Sequence, residues 1–331
     1  MSNKIVCCPV CGGSANTVRR ISKNELLEGY RGYYEDEVTD NLVNVDSYEM
    51  KCCSKCKLIF ATPFVSGSEE YYSWVTQHKD YYAYHRWEWE KIVEYIEETI
   101  NEEKISILEI GCGDGVFLEY IQEKLGNKVK PYGVDMTYES IEICRKKGLH
   151  VECCSAEEYL SNNPDKQFDI VCSFHCLEHV IDPKHYVESM VNVCKKNGLV
   201  VNSFPYSGHV FENWFDVLNL PPHHMTRWNE SAIKELGNQV NCNVHLLTNE
   251  FPPIGVNMKY TLLYRFFTKR NAILVGRKKF YLKCLCHFPI VLKELWDNLF
   301  RDKVEVYDKI NSCNIKKRKM GYHVMAVFYV K

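Results

Sequence analysis

Downstream of residue 104 the chain alternates short, almost wholly apolar runs with stretches in which apolar residues recur every three or four positions. The first pattern marks strands buried on both faces; the second marks helices that cover them. Strands are predicted at Ile105–Ile110, Val129–Asp135, Val151–Cys153, Phe168–Phe174 and Gly198–Phe204, with helices at Val116–Leu125 and Ser140–Lys147, the latter stopped by Gly148. A helix around Glu230–Gly237, a strand at Val244–Thr248 and a last apolar run, Tyr322–Val330, complete the series. Strand, turn and helix in repetition predict an α/β domain over 105–331 built on a mostly parallel sheet that the last run closes.

Three other segments break this pattern. Residues 1–62 alternate short apolar stretches with Gly and polar turns and hold two Cys-x-x-Cys pairs, which predicts a small metal-stapled module. Residues 63–104 carry an aromatic cluster (Tyr71, Tyr72, Trp74, Tyr81, Tyr82, Tyr84) and then Trp89, Val93, Ile96 and Ile100 at helical spacing, read as a lid and a lead-in helix. Residues 252–320 are read as a helical insertion before the last strand. Between Lys259 and Lys303 this segment has eleven Lys/Arg against three Asp/Glu, interleaved with aromatics. It is either a solvated basic helix pair or a patch for an anionic substrate, a lipid headgroup at the membrane surface or nucleic acid.

Composition narrows the class. With 331 residues and 46% hydrophobic content the chain supports a large folded domain with an appendage, which excludes wholesale disorder. The balance of 41 Lys+Arg against 43 Asp+Glu removes any global attraction to polyanions. No uncharged run reaches membrane-spanning length and no signal-peptide core is seen, so a cytoplasmic protein is expected. Seventeen cysteines fit a reducing compartment, where most act as small buried hydrophobes. The exceptions have ligand spacing. Cys8 and Cys11, with Cys53 and Cys56, form two knuckles that together offer four thiolates to one tetrahedral ion, the donor set of a structural Zn2+ site with no open position. Cys7 and Cys52 stand next to the knuckles, and the glycines after Cys11 favour Cys8 and Cys11. A redox role would need a βαβ context that is absent.

Candidate chemistry begins at the turn Glu109-Ile-Gly-Cys-Gly-Asp-Gly115, between a strand and a helix. Glycines there let a ligand approach the backbone and meet free N–H groups at the helix N-terminus. Val116 stands where the dinucleotide fingerprint has its third glycine, which disfavours NAD or FAD. Asp135, ending the next strand, is placed to accept the two hydroxyls of a ribose; its plainer fate is a helix cap.

With these residues in view, the chain resembles the class I S-adenosylmethionine (SAM)-dependent methyltransferases over roughly 105–331. Leu108 to Gly115 match the first motif and Gly133-Val-Asp135 the ribose acid. Ser155-Ala156-Glu157 falls where the family contacts adenine, although members often have Asp in place of Ser155. Phe174-His-Cys-Leu-Glu-His179, followed by Asp182-Pro183, matches the block that follows the cofactor pocket. The resemblance implies a Rossmann-like doubly wound seven-stranded sheet with its last strand antiparallel. It implies a SAM site of Glu109, Gly111, Cys112, Gly113, Asp135, Met136, Ser155, Ala156, Glu157, Phe174 and His175. The Cys-rich start resembles the N-terminal zinc ribbons of bacterial methyltransferases of sugar, polysaccharide and natural-product pathways.

The acceptor is read from Leu220-Pro-Pro-His-His-Met-Thr-Arg-Trp228, similar to a Pro-x-His-His segment on the acceptor side of many sugar and small-molecule methyltransferases. An imidazole titrates near neutrality and can deprotonate a hydroxyl, so His224, then His223, are the candidate bases; alternatively both only fix the loop. Arg227 would hold an anionic substrate group or form a salt bridge. Ser173-Phe-His-Cys stands where base N-methylating enzymes have an Asp/Asn-Pro-Pro-Tyr/Phe turn, which disfavours that reaction. The leading expectation is O-methylation of a carbohydrate or other small molecule. The alternatives are an RNA methyltransferase gripping phosphates through ribbon and insertion, and a non-catalytic zinc-ribbon scaffold.

Overall fold

The computed structural model describes residues 6–34, 38–78, 84–99, 104–207, 217–249, 303–318 and 321–331. The central sheet has seven strands in the order β10-β13-β8-β7-β4-β5-β6. These are β4 (Ile105–Ile110), β5 (Val129–Asp135), β6 (Val151–Cys153), β7 (Phe168–Phe174), β8 (Cys194–Pro205), β10 (Asn243–Thr248) and β13 (His323–Tyr329). From β6 to β8 neighbours are parallel; β13 runs antiparallel to both β8 and β10. The sheet is the doubly wound one implied by the sequence, with its last strand antiparallel.

Central strands are mostly apolar because helices cover both faces. Ile107, Leu108, Ile170, Val171, Val200 and Val201 are all buried. Helices α4 (Val116–Leu125), α5 (Tyr138–Lys146), α6 (Ala156–Asn162), α7 (Pro183–Asn192) and α8 (Glu230–Gln239) supply the cover together with α3 (Trp87–Thr99), whose Trp89, Ile92, Val93 and Ile96 are buried. Successive connections diverge at β4, which pairs with β5 on one side and β7 on the other. In open α/β sheets this reversal opens a crevice at the strands' carboxyl ends. The glycine turn after β4 and the histidine-rich turn after β7 therefore face each other.

The N-terminal module is larger than a bare ribbon. It contains β1 (Ala15–Ser22), α1 (Lys23–Tyr34), β2 (Ser47–Cys53) and β3 (Ile59–Thr62), and its antiparallel sheet runs β1-β2-β3-β9. The fourth strand, β9, is Thr226–Arg227, contributed from beyond residue 62 by the segment after β8. Helix α2 (Glu69–Thr76), the expected aromatic lid, packs its Tyr71 and Val75 against Tyr30, Tyr48, Val217, Leu220 and Met225. A break in sequence pattern near residue 62 is thus not a break in packing. Between residues 252 and 320, helices were expected; the described part, 303–318, is instead a hairpin of β11 (Val304–Tyr307) and β12 (Ile315–Arg318), and the rest lies outside the described residues. Asp308, in the connection between them, pairs with Lys316 and Arg318 of β12, all four residues of which are exposed, whereas Val306 of β11 is buried.

Trp228 joins the two parts. It is fully buried, packs on Phe204 of β8 with ring centroids 5.6 Å apart, and donates its indole N–H to Thr226 Oγ1 at 3.0 Å. Trp228→Ala should lower unfolding free energy by about 3–5 kcal/mol; chemical denaturation checks this, and a loss under about 1 kcal/mol would contradict the packing.

Candidate active site

After β4 the backbone turns through Gly111 (φ +75°), Gly113 (φ +49°) and Gly115 (φ +77°), the last at the N-cap of α4. All three take the left-handed conformation that favours glycine. At Gly111 space adds to the demand, because a Cβ would lie 2.5 Å from Cys176 Sγ. Asp135 pins the loop: its Oδ2 accepts from Gly113 N at 2.9 Å and its Oδ1 from Thr137 N at 2.8 Å. The carboxylate keeps further lone pairs for a ribose. Cys112 is buried under the loop. Glu109 is buried with Oε2 lacking a hydrogen-bond partner among the described residues, and burial, with Asp135 next, pushes its carboxyl well above the usual range.

The remaining residues expected at the cofactor are placed individually by their own contacts. Met136, beside Asp135, is 80% exposed, unusual for a large apolar side chain. Ser155 is committed to a capping box with Glu158 at the start of α6, so its hydroxyl is already used; Ala156 is buried behind it. Glu157 accepts from Ser189 Oγ at 3.1 Å and lies 3.5 Å from His185, which turns it toward α7. Phe174 is packed edge-on to Phe117, centroids 4.8 Å apart. His175 follows in a left-handed conformation, φ +55°, which aims its ring at Glu88 and Glu178. An orphaned buried carboxyl oxygen, a glycine cradle and an exposed methionine are what a bound nucleoside would satisfy.

The wall expected to face the acceptor is made by two segments zipped together. Met225 N and Thr226 N both donate to Glu178 O, at 2.7 and 3.1 Å, and Thr226 Oγ1 donates to Leu177 O at 3.2 Å. His179 Nδ1 donates to His223 O at 2.7 Å. His179, His223 and His224 thereby cluster, with ring centroids 4.5–4.9 Å apart, and Tyr72 of α2 sits 6.0 Å from His179. His224 Nδ1 lies 3.0 Å from Asn219 Oδ1. An amide oxygen only accepts, so Nδ1 carries the proton and Nε2 the lone pair. Burial, then neighbouring imidazoles, hold His223 and His224 well below the ordinary histidine range. Both are neutral at pH 7. Arg227 donates to Asn219 O at 2.6 Å, and with Glu178, Tyr206, Asn219 and His224 it lines a pocket.

A family model described as "Methyltransferase domain" matches residues 81–247, half of the sequence. The chain belongs to the methyltransferase family. A ubiquinone biosynthesis O-methyltransferase of Actinobacillus pleuropneumoniae is 27% identical to this methyltransferase, over 41% of this chain and 76% of its own. That of Neisseria meningitidis is 29% identical over 33% and 47%, so the match spans less than half of that relative. Among solved structures, a SAM dependent methyltransferase from Archaeoglobus fulgidus superposes with TM-score 0.48 at 18% identity, covering 78% of this chain and 99% of that one. The plantazolicin methyltransferase BpumL in complex with SAH gives 0.47 at 11% identity, covering 93% and 96%. Sheet order and family together make this protein a class I SAM-dependent methyltransferase.

A second centre lies in the N-terminal module. Cys8 Sγ is 3.6 Å from Cys56 Sγ and Cys11 Sγ is 3.5 Å from Cys53 Sγ, and all four sulfurs lie within 4.8 Å of one another. Gly12 (φ +67°) and Lys57 (φ +64°) turn the two knuckles. A tetrahedral zinc with bonds of about 2.3 Å has sulfur edges of about 3.8 Å, so the donor set fits. Cys7 is exposed and Cys52 points to the carbonyls of Cys53 and Lys57, which leaves both outside the cluster. Among the described residues no helix is long and apolar enough to cross a membrane.

Sequence reasoning missed Glu88, Glu178 and Asn219. Glu88 was hidden because a lone carboxylate on an amphipathic helix reads as solvated; it is 1% exposed. Gly111→Ala adds both the Cβ clash and an unfavourable φ. It should weaken SAM binding on the order of tenfold or more, about 1.4 kcal/mol. Titration calorimetry reads this directly, and wild-type affinity would remove the loop from the SAM site.

Proposed function

We propose that this methyltransferase transfers the methyl group of SAM to a hydroxyl of a carbohydrate or other small molecule, with His224 as general base and His223 as the second candidate. When bound, the cofactor supplies an electrophilic methyl carbon on a sulfonium. The loop amides around Gly111, Cys112 and Gly113, with Glu109, would hold its polar groups, Asp135 its ribose, and Met136, Ala156, Ser155 and Glu157 the adenine side, with Phe174 and His175 beyond. The chain's own contribution is alignment and proton removal.

The observation that carries the reading is His224. Its Nδ1–H donates to Asn219 Oδ1, which leaves the Nε2 lone pair on a neutral imidazole that lines the pocket. An amine acceptor would need no such base once deprotonated; a hydroxyl does. O-methylation also agrees with what the ubiquinone biosynthesis relatives are named for. The sugar half of the reading rests on the Pro-x-His-His resemblance and the ribbon, and a cytoplasmic setting on the many free thiols.

The test is release of S-adenosylhomocysteine from SAM with a panel of phenolic and sugar hydroxyl acceptors. His224→Ala should cut turnover by about 10²-fold while SAM affinity stays within a few fold. Unchanged turnover would transfer the role elsewhere. Because His224 is kept neutral, activity should hold as pH falls through the ordinary histidine range and decline only below it; a midpoint of about 6.5 in the pH–rate profile would contradict this.

We also infer that Cys8, Cys11, Cys53 and Cys56 hold one structural Zn2+. Elemental analysis should give close to one zinc per chain. Cys56→Ser should lose the metal and destabilise the β1-β2-β3-β9 sheet, seen as lower melting temperature; a metal-free chain with wild-type melting would overturn the assignment.

A further inference from the structure

A row of buried titratable groups runs from the lead-in helix to the acceptor pocket. Glu88 on α3 has its Oε1 3.3 Å from His175 Nε2. The other ring nitrogen, Nδ1, lies 3.5 Å from Glu178 Oε1, and that same oxygen is 4.0 Å from His224 Nε2. Glu88 is 1% exposed and Glu178 2% exposed. Two ionised carboxylates out of water require a cation between them, and His175 is the group in that position.

We propose that Glu178 is the positioning residue of the methyl-transfer site: held by the buried Glu88–His175–Glu178 chain, it sets His224 for proton removal and balances the imidazolium that results. This rests on the reading of His224 as base. Charge counting supports it. Glu88⁻, His175⁺ and Glu178⁻ sum to one negative charge, which a protonated His224 neutralises. The acceptor hydroxyl gives its proton to His224 Nε2 as its oxygen bonds to the methyl carbon; the electron pair of the broken carbon–sulfur bond stays on sulfur. One positive charge leaves sulfur and one appears on His224, beside a carboxylate already in place. Electrostatic partners fixed before the reaction need no reorganisation during it.

Surrounding groups fit this assignment. Burial opposes charge on all three members. Even so, mutual contact holds Glu88 and Glu178 below the usual carboxylate range and lifts His175 above the usual imidazole range. Arg86, ahead of α3, and His323 of β13 face His175, and His323 is pushed down to about 4 by burial and by His175, so it stays neutral. His223, His179, Arg227 and His175 face His224 and oppose a charge on it, which leaves the Glu178 carboxylate, 4.0 Å from Nε2, as the anion that offsets them. The backbone bonds from Met225 and Thr226 to Glu178 O fix the carboxylate's stem to the segment that bears His224.

The test uses the full-length chain with ¹⁵N-labelled histidine. His175 should remain an imidazolium above the ordinary histidine range, and in Glu178→Gln its midpoint should fall by about one unit or more. Glu88→Gln should lower the same midpoint and carries the readout if Glu178→Gln fails to fold. With a hydroxyl acceptor from the S-adenosylhomocysteine screen, Glu178→Gln should lower kcat about 10- to 10²-fold with SAM affinity unchanged, and Glu178→Asp, which keeps the charge, should recover part of it. A wild-type His175 midpoint of about 6.5 or below, or no movement in either variant, overturns the chain. Wild-type kcat in Glu178→Gln overturns its role. Full turnover in His224→Ala fails the base assignment instead, and leaves the histidine midpoints to judge the chain separately.

Discussion

Glu178 O, at the turn after β7, accepts two backbone N–H groups, from Met225 and Thr226, and most of the molecule's organisation follows from that pairing. A buried carbonyl must be satisfied, and a turn at the mouth of a parallel sheet has no neighbouring strand to do it. The segment after β8 is drawn in to serve. Once there, its next residues form β9, and β9 becomes the outer strand of the N-terminal sheet. The cysteine module is therefore built onto the wall that carries His223 and His224. Its edge is closed by the same strand that follows the paired histidines, and Tyr71 and Tyr72 of α2 pack against the His223 imidazole. Zinc stapling of such a module would stiffen one wall of the pocket at a distance from the chemistry.

Two buried glutamates show how neighbours decide charge. Glu109 is 4% exposed and Glu178 2%, so desolvation penalises both anions. Glu109 faces another acid, Asp135, and is driven toward its neutral form; Glu178 faces His175 and stays ionised. Burial alone would have made them alike. On the cofactor side a carboxyl with an unsatisfied oxygen waits at the base of the glycine loop. Across the crevice an ionised one is paired with His175 and lies near the neutral imidazole of His224. The two sides of the crevice are thus electrically distinct before any ligand enters.

The catalytic sheet was legible because its signals are local. Strands β4, β5, β6 and β7 and helix α4 fall at the residues that periodicity marks, since a parallel strand covered on both faces is an uninterrupted apolar run. Other local signals were present and unread. Ser155 and Glu158 are a capping box that announces α6, and Asp182-Pro183 is an N-cap and first-turn proline that announce α7. What could not be read was tertiary. Nothing near Thr226 marks it as a strand of a sheet begun two hundred residues earlier, and two residues carry no periodicity. The hairpin at Val304–Arg318 looks helical in composition because β12, Ile315-Lys-Lys-Arg318, is exposed and charged. In the site the histidines were visible as residue types, whereas their partners Asn219, Glu178 and Glu88 became visible only when folding brought five, forty-six and eighty-seven positions together around His224 and His175.

The polarity of the acceptor wall decides what enters it. Asn219 and Glu178 are buried, His224 is nearly so, and each has a fixed partner on one side and the pocket on the other. An acceptor without a hydroxyl would strip water from the His224 lone pair and from the Glu178 carboxylate and return nothing, leaving two buried acceptors face to face at 4.0 Å. Under the proposed O-methylation, the acceptor O–H donates its one proton to His224 Nε2, beside the Glu178 carboxylate. Sites that hydrogen-bond a substrate group discriminate against analogues lacking it far more strongly than apolar pockets discriminate by size, by about 10⁴-fold or more against 10- to 200-fold. Under the proposed O-methylation, selection follows the presence and placement of a proton donor before it follows the shape of the rest of the molecule. On that reading the outer part of the acceptor is left to the segments beyond this wall, and the inner part to the chemistry of one O–H bond.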